Sequence, residues 1–365
     1  MLDEIRQRFA DIIGALRLSA NLEPDFAAIE AHLRQSPQRD YMASRGEYLN
    51  SKLLAAYLGF RFVDAAQMVL FRADGSFDPE ATNTAIGHAL VSVEHAVIPG
   101  FYGAMPDGTV HTFSRGGSDV TGSVVARAVG AGLYENWTDV PGILAADPKI
   151  VKRPVPIETL SYPELQLLSA AGTQVLHESA VAPVRERQIP LHIRSTFAPD
   201  APGTRIGFDA PASLSASGVI GFAGRRPVSM LRVIFPENTE ETALWEVRAC
   251  LNEHRIETFH SACGVEGLCL LLSSGAEADA LHAAAEQLRE HFSGAQVKLR
   301  ENLAVLLALC RSTKDIPKLS AAIEASGAPV HHLVQTPPGA MFCVNDSQYE
   351  QALRAAYAAS RQLRD

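Results

Sequence analysis

Ser114-Arg115-Gly116-Gly117-Ser118-Asp119 runs directly into the small-residue stretch Val120–Val129, and this junction decides the fold. Two adjacent glycines before a run of small residues predict a tight turn opening a helix. Upstream, His95-Ala96-Val97-Ile98-Pro99-Gly100-Phe101 reads as a buried strand feeding a glycine-containing turn, and Thr109–Phe113 as the outgoing arm of a hairpin. Downstream, Leu133-Tyr134-Glu135-Asn136-Trp137 reads as a strand that ends in the turn Thr138-Asp139-Val140-Pro141-Gly142. Strand, glycine turn and helix in that order predict an α/β nucleotide-binding domain.

The same junction carries chemistry. Paired glycines let the backbone approach a ligand, and a helix start offers unpaired N–H groups to an anion. Arg115 can grip a carboxylate with two parallel hydrogen bonds, and Asp119 supplies the complementary charge for an amino group. Together they describe a site for an α-amino acid. A turn capped by Ser118 or Asp119 also forms without any ligand. Thr138 and Asp139, followed by Asp147-Pro148-Lys149, place polar groups and a cation at a strand's C-terminal edge, where open α/β sheets bind ligands. Lys149 could meet phosphate as a point charge. An ordinary turn beside a solvated lysine has the same composition.

Working outward, Leu2, Ile5, Phe9, Ile12, Ile13 and Leu16 recur at spacings of three and four, one face of an amphipathic helix. Further helices are expected over Asp25–Gln35 and Tyr48–Leu58, the latter stopped by Gly59 and followed by a short strand at Phe60–Val63. Helices at Tyr162–Ala171 and Glu178–Arg187 and a strand at Leu191–Ser195 close the domain. Ala198–Gly203, with two prolines and a glycine, reads as a boundary loop. Beyond it, Val228–Phe235, Glu240–His254, Thr258–Ala262, Gly267–Leu272 and Ala276–His291 read as strand, helix, strand, strand, helix. Ala304–Cys310, Ile316–Ser326, Val330–Val334, Ala340–Val344 and Gln348–Ala358 repeat that order. Two such copies predict a ferredoxin-like repeat, with a single irregular α+β domain as the alternative.

Bulk properties narrow the function classes. The 365 residues are 47% apolar and 20% charged, enough for two or three domains with sizeable cores. The net charge of -9 has no compensating basic stripe, so binding along a nucleic-acid backbone is not expected. No apolar run reaches membrane-spanning length and the first residues lack a secretory pattern, so a soluble, cytoplasmic protein is expected. Five cysteines without a CxxC pair favour neither a disulfide framework nor zinc. His177-Glu178 has Val181 where a metalloprotease helix needs its second histidine, and His331-His332 reads as a surface feature, so no metal site is expected. No P-loop and no hydrolase nucleophile elbow occurs.

Several motifs together go further. Ser44-Arg45-Gly46-Glu47, Pro99-Gly100-Phe101, Phe113–Asp119, Trp137–Ile143, Ala146-Asp147-Pro148 and Val175-Leu176-His177 resemble the aspartate kinases in order and spacing. The match continues through Ile193-Arg194-Ser195-Thr196 and Pro202-Gly203-Thr204. The resemblance covers residues 1–208 well and 215–360 more loosely. It implies an α/β chain: an amino-acid kinase-like three-layer αβα catalytic domain over 1–208, N-terminally incomplete, then two ferredoxin-like ACT domains at 215–296 and 300–365. Other amino-acid kinases, acting on glutamate or carbamate, do not usually join this pattern to tandem ACT domains.

The activity implied is phosphoryl transfer from MgATP to the side-chain carboxylate of L-aspartate, giving 4-phospho-L-aspartate, the first step of lysine, threonine and methionine biosynthesis. Glu47, Arg115, Ser118 and Asp119 fall where the family binds aspartate, with Arg115 and Asp119 expected to be catalytic. Thr138, Asp139 and Lys149 fall where it binds ATP, accompanied by Mg2+. The resemblance also implies a homo-oligomer and an amino-acid effector at the ACT domains.

The sequence departs from the family pattern in three places. The family opens with a strand followed by Lys-Phe-Gly-Gly, and this chain starts downstream of it. Very little kinase activity is therefore expected of the chain alone, and a catalytically dead homologue that senses amino acids is the alternative. Gln174 stands where the family often has lysine. In the second ACT copy, Gln335-Thr336-Pro337-Pro338-Gly339-Ala340-Met341-Phe342 puts Met341 in place of an effector-binding asparagine and prolines in place of serines. Weak or absent effector binding is expected at that copy.

Overall fold

The computed structural model describes the chain except residues 36, 37, 115, 173–175, 177, 209–217, 236–241, 265, 266, 274, 276, 337 and 363–365. The elements, in chain order, begin with α1 (Leu2–Leu16), α2 (Glu23–Gln35), α3 (Arg39–Leu58), β1 (Arg61–Phe62), α4 (Pro79–Leu90) and β2 (Ala96–Val97). Next come β3 (Tyr102–Ala104), β4 (Val110–Thr112), α5 (Gly117–Val129) and β5 (Tyr134–Thr138). They continue with β6 (Thr159–Ser161), α6 (Tyr162–Ala170), α7 (Glu178–Glu186), β7 (Leu191–Ser195) and β8 (Thr204–Gly207). The C-terminal part holds β9 (Val219–Ile234), α8 (Ala243–Glu253), β10 (Thr258–Gly264), β11 (Gly267–Ser273), α9 (Ala278–His291) and β12 (Gln296–Cys310). It closes with α10 (Ile316–Ala325), β13 (His332–Thr336), β14 (Gly339–Asn345) and α11 (Tyr349–Gln362).

Two compact units divide these elements. The first comprises Met1–Asp139, Leu176–Pro199 and Arg205–Phe208. In it β1 and β2 pair in parallel, β3 and β4 form a hairpin, and β5 and β7 pair in parallel along their whole length, Tyr134 facing Leu191 and Thr138 facing Ser195. The parallel pairs are α/β construction, as expected from the strand–turn–helix order. Met68, Ile86, Val120, Val124 and Ala180 bury together between α4, α5 and α7. A second core joins Ala65, Val69, Phe71 and Tyr102 beneath the hairpin.

Two local differences from the sequence reading have clear causes. The helix expected over 48–58 begins at Arg39, so Ser44–Glu47 is helical. The Arg45 guanidinium is sandwiched between the rings of Tyr41 and Tyr48, 4.3 and 4.5 Å from their centroids, which ties the added turns together. The strand expected over 95–101 is only Ala96–Val97, because Pro99 lacks an N–H to continue the ladder and Phe101 adopts φ 70°.

The second unit comprises Val140–Val175, Asp200–Thr204 and Asp209–Asp365. Its sheet has the order β10-β11-β9-β12-β14-β13. The two longest strands each serve twice. Val228–Ile234 of β9 pairs with β11 and with Gln296–Arg300 of β12, while residues 219–225 pair with the later half of β12. The register slips between Arg300 and Leu303, where Asn302 takes φ 54°, and Pro227 interrupts β9 at the matching level. Each half is a four-stranded ferredoxin-like sheet. In one, α8 and α9 cover Leu231, Val233 and Leu270, with Leu288 of α9 in the same core; in the other, α10 and α11 cover Leu306 and Phe342 and contribute Leu319 and Leu353.

A contiguous division at 215–296 and 300–365 does not describe this pairing. Residues 219–225 supply a strand to the sheet of the C-terminal repeat, because the alternative is an unpaired edge on β12. Likewise 140–175 clusters with the ferredoxin-like unit although the sequence groups it with 1–208. Ala146 and Val151 bury against Phe222 and Leu306, and the Tyr357 hydroxyl accepts from the Val155 N–H at 3.1 Å.

The start of α6 shows how that stretch is held. Ser161 Oγ accepts from the Glu164 N–H, and Glu164 Oε2 accepts from the Ser161 N–H at 2.7 Å, a reciprocal capping box. Ser161→Ala removes one of the two bonds and is expected to lower stability by about 1 kcal/mol. A urea titration checks this, and an unchanged midpoint would show that the cap contributes nothing.

Candidate functional site

The candidate site forms at the start of α5. Gly116 sits at the N-cap with φ 58°, a conformation costly for a side chain, and Gly117 packs where a Cβ would lie 2.8 Å from Phe101 and 2.9 Å from Phe113. The two glycines thus let the hairpin close on the helix start. The Phe101 N–H donates to Thr121 Oγ1 at 3.0 Å, and Thr121 Oγ1 donates to the Gly117 carbonyl at 2.8 Å, which holds the Pro99-Gly100-Phe101 turn against the first turn of α5.

Asp119 lies in that first turn, where a carboxylate complements the helix dipole. Its Oδ1 accepts from Asn136 Nδ2 at 2.8 Å, and its carbonyl accepts from the Tyr134 hydroxyl at 3.2 Å. Tyr134, Asn136 and Thr138 alternate onto one face of β5, so Thr138 stands one step of about 7 Å along the strand from the residue that holds Asp119. The Thr138 carbonyl accepts from the N–H and hydroxyl of Thr196, at 2.8 and 3.0 Å, fixing the strand end to the residue after β7. On the opposite face Arg194 stacks over the half-exposed Trp137 ring at 4.3 Å and bonds Glu135 at 3.0 Å. Burial pushes the Glu135 carboxyl up, but the hydrogen bond and charge of Arg194 prevail and hold it below the ordinary range.

The other expected site residues distribute as follows. Ser118 is exposed on the first turn of α5, and Asp139 is exposed at the end of β5, its Oδ1 accepting from Thr138 Oγ1 at 3.3 Å. Glu47 is exposed on α3 and makes no ion pair among the described residues. Arg115 lies outside the described residues. Lys149 is exposed in the second unit, its N–H bonded to Asp147 Oδ1 at 2.9 Å. The structure of the first unit therefore joins Ser118 and Asp119 to the Thr138–Asp139 strand end.

Sequence reasoning did not single out Asn136, Tyr134 or Arg45. The alternation of Tyr134, Asn136 and Thr138 along a predicted strand was the available signal for the first two. Arg45, 9% exposed, donates to Ser44 Oγ at 2.9 Å and lies near Tyr102, whose hydroxyl donates to Asp64 at 2.7 Å. Burial and the Asp64 carboxylate push that phenol far above its usual range, so it remains a donor. A cavity of about 470 Å³ also borders Ser114, but it is lined by Phe77, Phe113, Val120 and Pro183 together with Glu80, Arg127 and Glu186. It excludes Asp119 and Thr138.

A model of the amino acid kinase family matches residues 8–195, slightly more than half of the chain, and the chain belongs to that family. The crystal structure of aspartate kinase from Clostridium acetobutylicum superimposes with a TM-score of 0.84 at 31% identity, covering 98% of this chain and 84% of that one. Aspartokinase 3 of Bacillus subtilis is 27% identical over 385 residues, 98% of this chain and 83% of that protein. Within the family, then, this kinase falls among the aspartate kinases with regulatory ACT-like domains. The fold also matches E. coli aspartokinase III in complex with aspartate and ADP, at TM-score 0.70 and 21% identity. No helix among the described residues is long and apolar enough to cross a membrane.

Proposed function

We propose that the protein transfers the γ-phosphoryl group of MgATP to the side-chain carboxylate of L-aspartate, giving 4-phospho-L-aspartate and ADP. The observation that carries this reading is the Asp119–Asn136 bond, which ties the residue read as the ammonium partner to the strand that ends at Thr138, next to Asp139. In the reaction a carboxylate oxygen of aspartate forms a bond to the γ-phosphorus while the bond from that phosphorus to the β,γ-bridging oxygen breaks. The attacking group is already ionised, so no general base is required, and binding geometry and charge supply the catalysis. Asp119 faces the substrate ammonium, Arg115 clamps the α-carboxylate, and Ser118 and Glu47 complete the pocket. Thr138 and Asp139 meet the nucleoside, and Lys149 meets phosphate. Mg2+ arrives with the nucleotide and offsets the repulsion between two anions.

The domain assignment that accompanies this reading is catalysis by residues within 1–208 and two ACT repeats within 215–365, the first contributing residues 219–225 to the sheet of the second, in a cytoplasmic homo-oligomer. The C-terminal repeat is a poor effector site: Met341 is 6% exposed within β14, paired with Leu307 and Val334, and offers no strong donor. The test of the main reading is ADP release by the purified protein as a function of L-aspartate, with hydroxylamine trapping the acyl phosphate. ADP formation that ignores aspartate, or none even from a chain extended at its N-terminus by the family's Lys-Phe-Gly-Gly segment, would overturn the reading and leave an amino-acid-sensing module.

A further inference from the structure

Asn136 is 9% exposed at the centre of β5, a costly place for a primary amide without hydrogen-bond partners. Its Nδ2 donates to Asp119 Oδ1 at 2.8 Å and lies 3.3 Å from the Tyr134 hydroxyl. That hydroxyl in turn donates to the Asp119 carbonyl at 3.2 Å. Gly122, one turn beyond Asp119, makes the room: a Cβ there would stand 2.6 Å from the phenol oxygen. Burial pushes the Tyr134 phenol up, so it stays a donor at neutral pH. Asp119 Oδ2 has no hydrogen-bond partner among the described residues.

We propose that Asn136 is a positioning residue for the amino-acid substrate. Its amide fixes the Asp119 carboxylate through Oδ1 and turns Oδ2 toward the substrate ammonium, with Tyr134 pinning the same residue through its backbone. The inference rests on the reading of Asp119 as the partner of that ammonium. Three features fit a device aimed at one carboxylate: the two donors come from alternate residues of one strand face, both end on Asp119, and a helix glycine admits one of them.

The test uses the whole chain, extended at its N-terminus by the family's Lys-Phe-Gly-Gly segment, and two near-isosteric variants of it, with initial rates taken against aspartate and ATP separately. Asn136→Leu keeps the shape and removes the donor. Its aspartate KM is expected to rise about tenfold or more, the cost of a lost hydrogen bond to a charged group, while the ATP KM stays within about twofold. Asn136→Asp places a second carboxylate beside Asp119, and two carboxylates so close hold one proton between them. Its aspartate KM is expected near the wild-type value at the acid end of the pH range, where that proton restores the bond, and to climb as pH rises. The wild-type KM should change less over the same interval. A merely structural asparagine would raise both substrates' KM values alike in Asn136→Leu and give Asn136→Asp no distinctive pH profile, and either result overturns the proposal. An unchanged aspartate KM in both variants overturns it as well. An extended wild-type chain without aspartate-dependent ADP release would instead overturn the reading of the site, and the positioning role falls with it.

Discussion

Asp119→Ala, in a chain extended by the family's Lys-Phe-Gly-Gly segment, is expected to raise the aspartate KM by a hundredfold or more while leaving the ATP KM close to wild type. Asp119 has one oxygen committed to Asn136 and the other without a partner among the described residues, so its remaining electrostatic capacity is available to the substrate. On the proposed reading of the site, truncation leaves the incoming ammonium without a counter-charge in a partly desolvated turn. An unpaired buried charge costs about 3–5 kcal/mol, and each 1.4 kcal/mol is tenfold in affinity. The same truncation orphans the Asn136 amide, so Asp119→Asn, which keeps the shape and loses the charge, separates the two effects: its KM should be nearly as high as that of Asp119→Ala. Arg115→Ala is expected to act in the same direction through the α-carboxylate. Steady-state kinetics against each substrate decide the matter, and variants that disturb ATP alone would reassign the turn to phosphate binding.

Arg311→Met should destabilise the second unit by about 3 kcal/mol, toward the low end for a broken buried ion pair because the arginine side chain is 28% exposed. Glu164 is 3% exposed and takes two bonds from this arginine, Nε to Oε1 at 2.7 Å and Nη2 to Oε2 at 3.1 Å. Methionine fills the stem's space and leaves the carboxylate, among the described residues, with its Ser161 contacts. Burial pushes the Glu164 carboxyl up, but Arg311 and the Ser161 N–H together hold it below the ordinary range. A depressed carboxyl contributes stability above its unfolded pKa and loses it as pH falls through the folded one. The gap between wild type and Arg311→Met is therefore full near neutral pH and closes below the usual carboxylate range. Urea denaturation followed by circular dichroism at neutral and acid pH measures it, and a gap independent of pH would assign the loss to packing instead of charge.

Glu164 also shows where sequence reading stops. Ser161-Tyr162-Pro163-Glu164 is legible as a helix start, because a capping box depends on residues three apart. That the same carboxylate meets Arg311 depends on residues 147 positions away, which no local pattern encodes. The candidate site divides in the same way. Two glycines before a run of small residues announce the start of α5, and Leu191–Ser195 is visible as β7 from its composition. The partner of Asp119 was not visible, because Asn136 is seventeen residues away and belongs to a strand whose pairing is with β7.

By itself, then, the sequence determined what short-range physics encodes: the helices with their caps, the strand–turn–helix junction at residues 114–119, two repeats of ferredoxin-like order and, through motif order, the family. Only the tertiary structure decided how distant segments combine. Residues 219–225 join the sheet of the C-terminal repeat because β12 offers them an unpaired edge. Asn136 and Tyr134 become the holders of Asp119 because β5 lies against α5 at Gly122, the position in that helix with room for a phenol. Such contacts arise when buried polar groups find partners across the packed core, where burial without a hydrogen bond costs more than any local propensity can offset.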